Sequence, residues 1–244
     1  MKFKLIILAT LCFSLQSINA QWWSNGTKVE GNGTIKTENR SVGTYDEVNL
    51  SGFFDVILEQ GTEGNLTVQA ESNLLEYITT EVENNALKIS TKKGYNLRTS
   101  KRMQVIITVP FKDIDKVALS GSGDIIGKDL ITAKNFKALI SGSGDISLSV
   151  KAKTIETALS GSGDIKLTGT TDKLSAKVAG SGDISCYDLK AKDVEAKVNG
   201  SGDVEVYASK SLYARVSGSG DIDYKRNPAN VDKKTSGSGD VTAH

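Results

Sequence analysis

Ala176-Lys177-Val178-Ala179-Gly180-Ser181-Gly182-Asp183-Ile184-Ser185-Cys186-Tyr187 decides the fold. On both sides of Gly-Ser-Gly-Asp, apolar and polar residues alternate with a period of two. That pattern describes a half-buried strand, a glycine turn and a second half-buried strand. The tetrad recurs with first glycines at Gly121, Gly142, Gly161, Gly180, Gly200, Gly218 and Gly237, in steps of 21, 19, 19, 20, 18 and 19 residues. Its second glycines are Gly123, Gly144, Gly163, Gly182, Gly202, Gly220 and Gly239, and its aspartates Asp124, Asp145, Asp164, Asp183, Asp203, Asp221 and Asp240. A constant period near twenty is the signature of a solenoid, in which each repeat is a structural unit stacked on the last.

Aligned on the first glycine, the repeats form columns. Two positions before it stand Leu119, Ile140, Leu159, Val178, Val198 and Val216; four positions after it stand Ile125, Ile146, Ile165, Ile184, Val204, Ile222 and Val241. One hairpin-shaped unit cannot bury such a face alone. Stacked at ~4.8 Å per rung, each strand pairs with its equivalent in the next coil. The expectation is an all-β parallel β-helix or β-solenoid, with about one coil per repeat.

The turn residues have backbone reasons to be there. Glycine reaches positive φ without a Cβ penalty, and Ser or Asp side chains bond turn amides. The aspartate column therefore reads as turn capping. A cation-binding edge is the alternative, because carboxylates at this spacing repel one another. The facing glycine turn of calcium-binding β-rolls is missing, so no metal and no cofactor is expected.

Residues 1–20 read as a secretory signal: Lys2 and Lys4, an apolar run from Leu5 to Leu15, then Ile18-Asn19-Ala20. Residues 21–40 read as a flexible tail carrying Trp22 and Trp23. Residues 41–115 are less regular. Ser51-Gly52-Phe53-Phe54-Asp55 looks like a degenerate turn, Val105–Val109 is a strand closed by Pro110, and Gly94–Arg102 is a polar loop. This part is expected to be irregular coils capping the regular ones, with a separate small sandwich as the alternative. Residues 116–244 form the regular solenoid. Its ends or faces are candidate sites of self-association.

The chain has 30 basic and 29 acidic residues, and cleavage after Ala20 removes Lys2 and Lys4. No basic excess points to nucleic acid, and the mature chain has no transmembrane segment. Of the two cysteines, only Cys186 remains after cleavage; it falls in an inward column and reads as a buried apolar group. The only histidine is His244, and the tetrads are uniform where a catalytic site breaks the repeat. No catalytic residue is assigned. Tyr187 and Tyr207 each lie seven residues after their first glycine. They are expected to stack outward on adjacent rungs, as a platform for a sugar ring or as a cross-strand pair stabilising the sheet. Lys177 and Lys197, on neighbouring rungs, read as solubility and edge protection.

From Gly52-Phe53-Phe54-Asp55-Val56 and Val105-Ile106-Ile107-Thr108-Val109-Pro110 through the Ser-Gly-Ser-Gly-Asp-Ile ladder, the chain resembles one family over about residues 40–244. This is the putative auto-transporter adhesin, head GIN domain family known from Bacteroidetes. The resemblance implies a right-handed β-helix of pectin-lyase-like shape, exported to the periplasm, outer surface or medium, with no established catalytic residue. The functional expectation is a non-enzymatic envelope module that binds glycan or protein. A polysaccharide-active enzyme and a purely structural envelope protein, with or without stabilising cations, are the alternatives.

Overall fold

The computed structural model describes residues 26–244. The signal segment, Trp22 and Trp23 lie outside the described residues.

The repeats build a parallel β-solenoid. Five long strands, each bending around the coil, form its body: β11 (Ile125–Gly142), β12 (Ile146–Gly161), β13 (Ile165–Gly180), β14 (Ile184–Gly200) and β15 (Val204–Gly218). Each pairs in parallel with the next, glycine opposite glycine. The final rung is made of β16 (Ile222–Lys225) and β17 (Asn230–Gly237) on β15, with β18 (Val241–Ala243) on β16. The inward columns are those of the alternation: Val178, Val198, Ile184 and Cys186 are each at most 1 % exposed.

The first rung lies far from the others in sequence. Strands β3 (Glu47–Gly52) and β4 (Asp55–Gln60) carry Gly52-Phe53-Phe54-Asp55 between them. β3 pairs in register with β10 (Lys116–Gly121), and β4 with the start of β11. The degenerate turn is thus a true rung, separated from the second by a long excursion that builds the cap. In that excursion β5 (Asn65–Glu71) is followed by a 3-10 turn, Leu75–Tyr77. Then come β6 (Ile78–Glu83), β7 (Ala86–Thr91), β8 (Tyr95–Arg98) and β9 (Ile106–Phe111). β6 and β7 form an antiparallel hairpin turned by Asn84 and Asn85, both at positive φ, a conformation asparagine tolerates. One continuous sheet and one core cluster span cap and ladder, so the front half is not a separate sandwich.

Three expectations are corrected in the cap. The tail assigned to residues 21–40 is ordered where described: β1 (Thr27–Glu30) pairs with β8, and β2 (Ile35–Ser41) runs antiparallel to β5. The Arg40 guanidinium fastens β2 by donating to the Ile78 and Leu75 carbonyls, the latter at 2.7 Å. β1 likewise breaks the supposed polar loop, giving Tyr95–Arg98 a strand partner. The strand expected to close at Pro110 also continues to Phe111, with Pro110 opposite Glu59.

Differences in repeat length are absorbed on one side only. Register shifts fall between Ile126 and Leu130, Lys166 and Gly169, Cys186 and Lys190, and Ala191 and Asp193. From Phe136, Ile155, Leu174, Val194 and Leu212 through to the first glycines, the register is unbroken.

One inward column carries a defect. Among Val117, Ala138, Ala176, Ala196 and Ala214 stands Thr157, whose buried hydroxyl finds no hydrogen-bond partner. Replacing Thr157 by Val keeps the shape and removes the unsatisfied group. It is expected to stabilise the fold by about 1 kcal/mol, read as a raised denaturant midpoint with unchanged slope.

Candidate functional site

The coil has two opposed corners, which differ in charge. At the first, the tetrads stack. The Asp145 amide donates to Asp124 Oδ1 at 3.0 Å, and the same bond recurs through Asp164, Asp183, Asp203, Asp221 and Asp240 at 2.7 to 3.0 Å. Asp124 in turn donates to Asp55 Oδ1 at 3.3 Å. Each carboxylate therefore caps the turn of the following rung rather than its own. Among the described residues, no group of three or more metal-ligating side chains is gathered.

The glycines of this corner have two separate reasons. The first of each tetrad has φ between +121° and +147°. The second does not; a Cβ there, as at the first, would lie about 2 Å from a carbonyl oxygen one rung earlier, that of Phe54 for Gly123 and of the equivalent glycine for the others. The sequence reading supplied positive φ alone and missed this close approach.

At the second corner the chain turns through Lys134, Lys153, Asp172, Lys192 and Lys210, between the paired positions on either side. Around them lie Lys151, Lys173 and Lys190, all exposed. Asp172 pairs with Lys192 at 2.7 Å, which holds its carboxyl below the usual range, and Asp193 lies 3.8 Å from Lys210. A groove of about 530 Å³ runs along this corner, with Tyr207 among its walls.

The expected tyrosine ladder does not form. Tyr187 falls in the irregularity between Cys186 and Lys190, so Tyr207 stands opposite Lys190 on one side and Lys225 on the other. The repeat containing Tyr187 is two residues longer than the next, and the surplus displaces its ring. Lys225 Nζ sits 4.0 Å from the Tyr187 ring centre, while Arg226 Nε donates to the Tyr207 hydroxyl at 2.7 Å. Burial, then the nearby Asp223 and Glu205, push the Tyr187 phenol up to about 12.

The outer face before the tetrads carries another column. Ala118, Leu139 and Ala158 lie along a groove of about 850 Å³, continued by Lys177 and Lys197. Lys197 pairs with Glu195 at 2.5 Å. Arg215 stacks 3.7 Å from the centre of the Tyr213 ring, an exposed aromatic that sequence reasoning passed over. Cys186 is fully buried, and desolvation pushes its thiol up to about 12, which suits an inert core group.

A family model described as putative auto-transporter adhesin, head GIN domain, matches residues 44–228, which takes in the first rung, the cap strands β5 to β9 and the ladder through β16. The chain belongs to this family. Several solved structures share the fold. A putative adhesin from Bacteroides fragilis superposes with a TM-score of 0.82 at 25% identity, covering 88% of this chain and 100% of that one. A putative lipid binding protein from Parabacteroides distasonis gives 0.74 at 29% identity, covering 89% and 100%. A putative adhesin from Parabacteroides merdae gives 0.71 at 21% identity, covering 90% and 100%. None of the curated proteins matches the chain. Among the described residues no helix is long and apolar enough to cross a membrane.

Proposed function

We propose that this head GIN domain protein is an exported, non-catalytic adhesion module that holds a glycan or protein partner along the outside of its solenoid. The observation that carries the reading is the unbroken stack. In every tetrad from Gly121 to Gly237 the serine amide donates to the first-glycine carbonyl of the rung before, so the variable chemistry lies on the outer faces and the second corner. Repetition at a fixed pitch suits recognition of an extended, repeating partner. Family membership and the adhesins among its structural relatives support it. The test is binding of the purified protein to arrays of glycans and surface proteins, with hydrolase and lyase assays on the same glycans. Saturable binding without turnover is expected; cleavage of any glycan sinks the reading.

A second reading has its own observation. The Parabacteroides distasonis relative is a putative lipid binding protein, and here Ala118, Leu139 and Ala158 line the larger groove with Lys177 and Lys197 toward one end. An acyl chain with an anionic head fits that apolar strip, its head at Lys177 and Lys197; at the other end lie Asn49 and Lys88, the latter paired with Glu83. Displacement of a fluorescent fatty acid, lost in Leu139→Lys, separates it from the first reading.

A further inference from the structure

We infer that the groove at the second corner binds an acidic glycan, a linear chain of sugars bearing carboxylate groups. This rests on the reading of the protein as an adhesion module and names the chemistry of its partner.

Charge is the first ground. Although the whole chain is nearly neutral, the second corner gathers seven lysines from Lys134 to Lys210 against Asp172 and Asp193. Those two aspartates are taken by Lys192 and Lys210. Lys134, Lys151, Lys153, Lys173 and Lys190 form no ion pair among the described residues. The tetrad carboxylates stand at the first corner, across a side of roughly eight strand residues, or about 26 Å, beyond the Debye length of about 8 Å at physiological salt. Asp46, Asp113 and Asp115 lie beside Lys134 at the cap end, so the unbalanced positive stripe runs through Lys151, Lys153, Lys173 and Lys190.

Its shape is the second. Thr132, Lys151, Thr170, Lys190 and Tyr207 form one column by register, and all five line the groove. Ammonium and hydroxyl groups thus alternate at ~4.8 Å, placing one lysine at every second rung. A sugar chain lying along the solenoid axis meets amines that pair with carboxylates and hydroxyls that bond its own. Ala133, Ala152 and Ala191 keep the floor shallow. Tyr207 offers a ring at one end, tethered through its hydroxyl by Arg226, a non-glycine residue held at φ +81°.

The stripe is about four rung steps long, roughly 19 Å, and narrow. That favours a short run of an acidic glycan over a nucleic acid duplex or a membrane surface, each of which presents charge over a wider area to both corners.

The test is calorimetric titration of the purified protein with a panel of linear acidic glycans: oligogalacturonate, oligomannuronate and hyaluronan fragments. Methyl-esterified oligogalacturonate, a single-stranded oligonucleotide of equal charge and anionic vesicles are the comparators. At least one acidic glycan is expected to bind and weaken with salt, and its ester to fail. The Lys151→Ala/Lys190→Ala variant should bind at least about tenfold more weakly. Lys166→Ala/Lys234→Ala, which removes the same charge from exposed positions outside both grooves, should bind as the parent does. The inference is overturned by silence across the acidic panel, by equal binding of the ester, the oligonucleotide or the vesicles, or by indifference to Lys151→Ala/Lys190→Ala. If neutral glycans or proteins bind on the arrays while the acidic panel does not, the adhesion reading stands and only the basic groove falls. If nothing binds anywhere, both fall.

Discussion

Gly163→Ala is expected to destabilise the solenoid by about 4 kcal/mol or more, at the extreme of single substitutions. The new methyl group points at the preceding rung, 2.0 Å from the Gly144 carbonyl oxygen. Neither side can yield cheaply. Gly144 occupies the same position in its own rung and is held by the rung before it, and the strands on both sides of the turn are fixed by unbroken ladders. Backbone conformation is not the cause, because positive φ belongs to the first glycine of each tetrad. Phe54 supports this account. It occupies the second-glycine column of the first rung, buried, where no tetrad lies before it to be struck. Thermal and denaturant unfolding of Gly163→Ala, beside Ser162→Ala as an exposed control expected within about 0.5 kcal/mol of the parent, decides the matter. A Gly163→Ala protein within 1 kcal/mol of the parent, taken as roughly the average effect of a substitution, would falsify the steric account.

Glu71 is expected to govern the cap in the same way, through pH. It is fully buried and accepts hydrogen bonds from the Ser100 hydroxyl at 2.6 Å, the Ser100 amide at 2.9 Å and the Gly33 amide. Burial by itself raises the carboxyl; the donors from Ser100 and Gly33 outweigh it and hold the group below its ordinary value of 4.5. A carboxylate depressed on folding contributes stability that is complete above its unfolded value. That stability disappears as pH falls through the lower, folded value. The cap should therefore loosen under acid below about pH 4, starting where β1, β2 and the segment after β8 meet. Hydrogen exchange at the Gly33 and Ser100 amides reads this directly. Glu71→Gln should flatten the dependence, and Glu71→Ala, which orphans the donors, should cost about 3 kcal/mol at neutral pH. Exchange at those amides that ignores both pH and substitution rules the role out.

The ladder was legible because its signal is repeated. Seven tetrads and period-two alternation placed the inward columns correctly. The cap was harder. β1 and β2 are polar strands with mainly exposed side chains, joined through Gly31-Asn32-Gly33, so neither hydropathy nor propensity separates them from a tail. What fixes them is pairing to β8 and β5 and the Glu71 and Arg40 contacts, which are nonlocal. The tyrosine pair failed for a different reason. Counting from the glycine assumes equal repeats, and the surplus residues between Cys186 and Lys190 break that count just where Tyr187 lies. The basic corner was hidden likewise, because its lysines sit at shifting offsets beyond the irregularities. Counting backward from the following glycine aligns Lys134, Lys153, Asp172, Lys192 and Lys210 at one position, eight before it, and would have exposed the corner.

The side-chain bonds of the first corner all point the same way. Each Asp amide donates to the carboxylate of the rung before it, and each second glycine fits only against a predecessor already in place. The carboxylate caps and the glycine fit of a rung are thus supplied by the earlier one, and the earliest is set by the cap. Assembly is expected to be vectorial: the cap nucleates and the coils are laid down outward, in the order in which the chain emerges from a ribosome or a translocation pore.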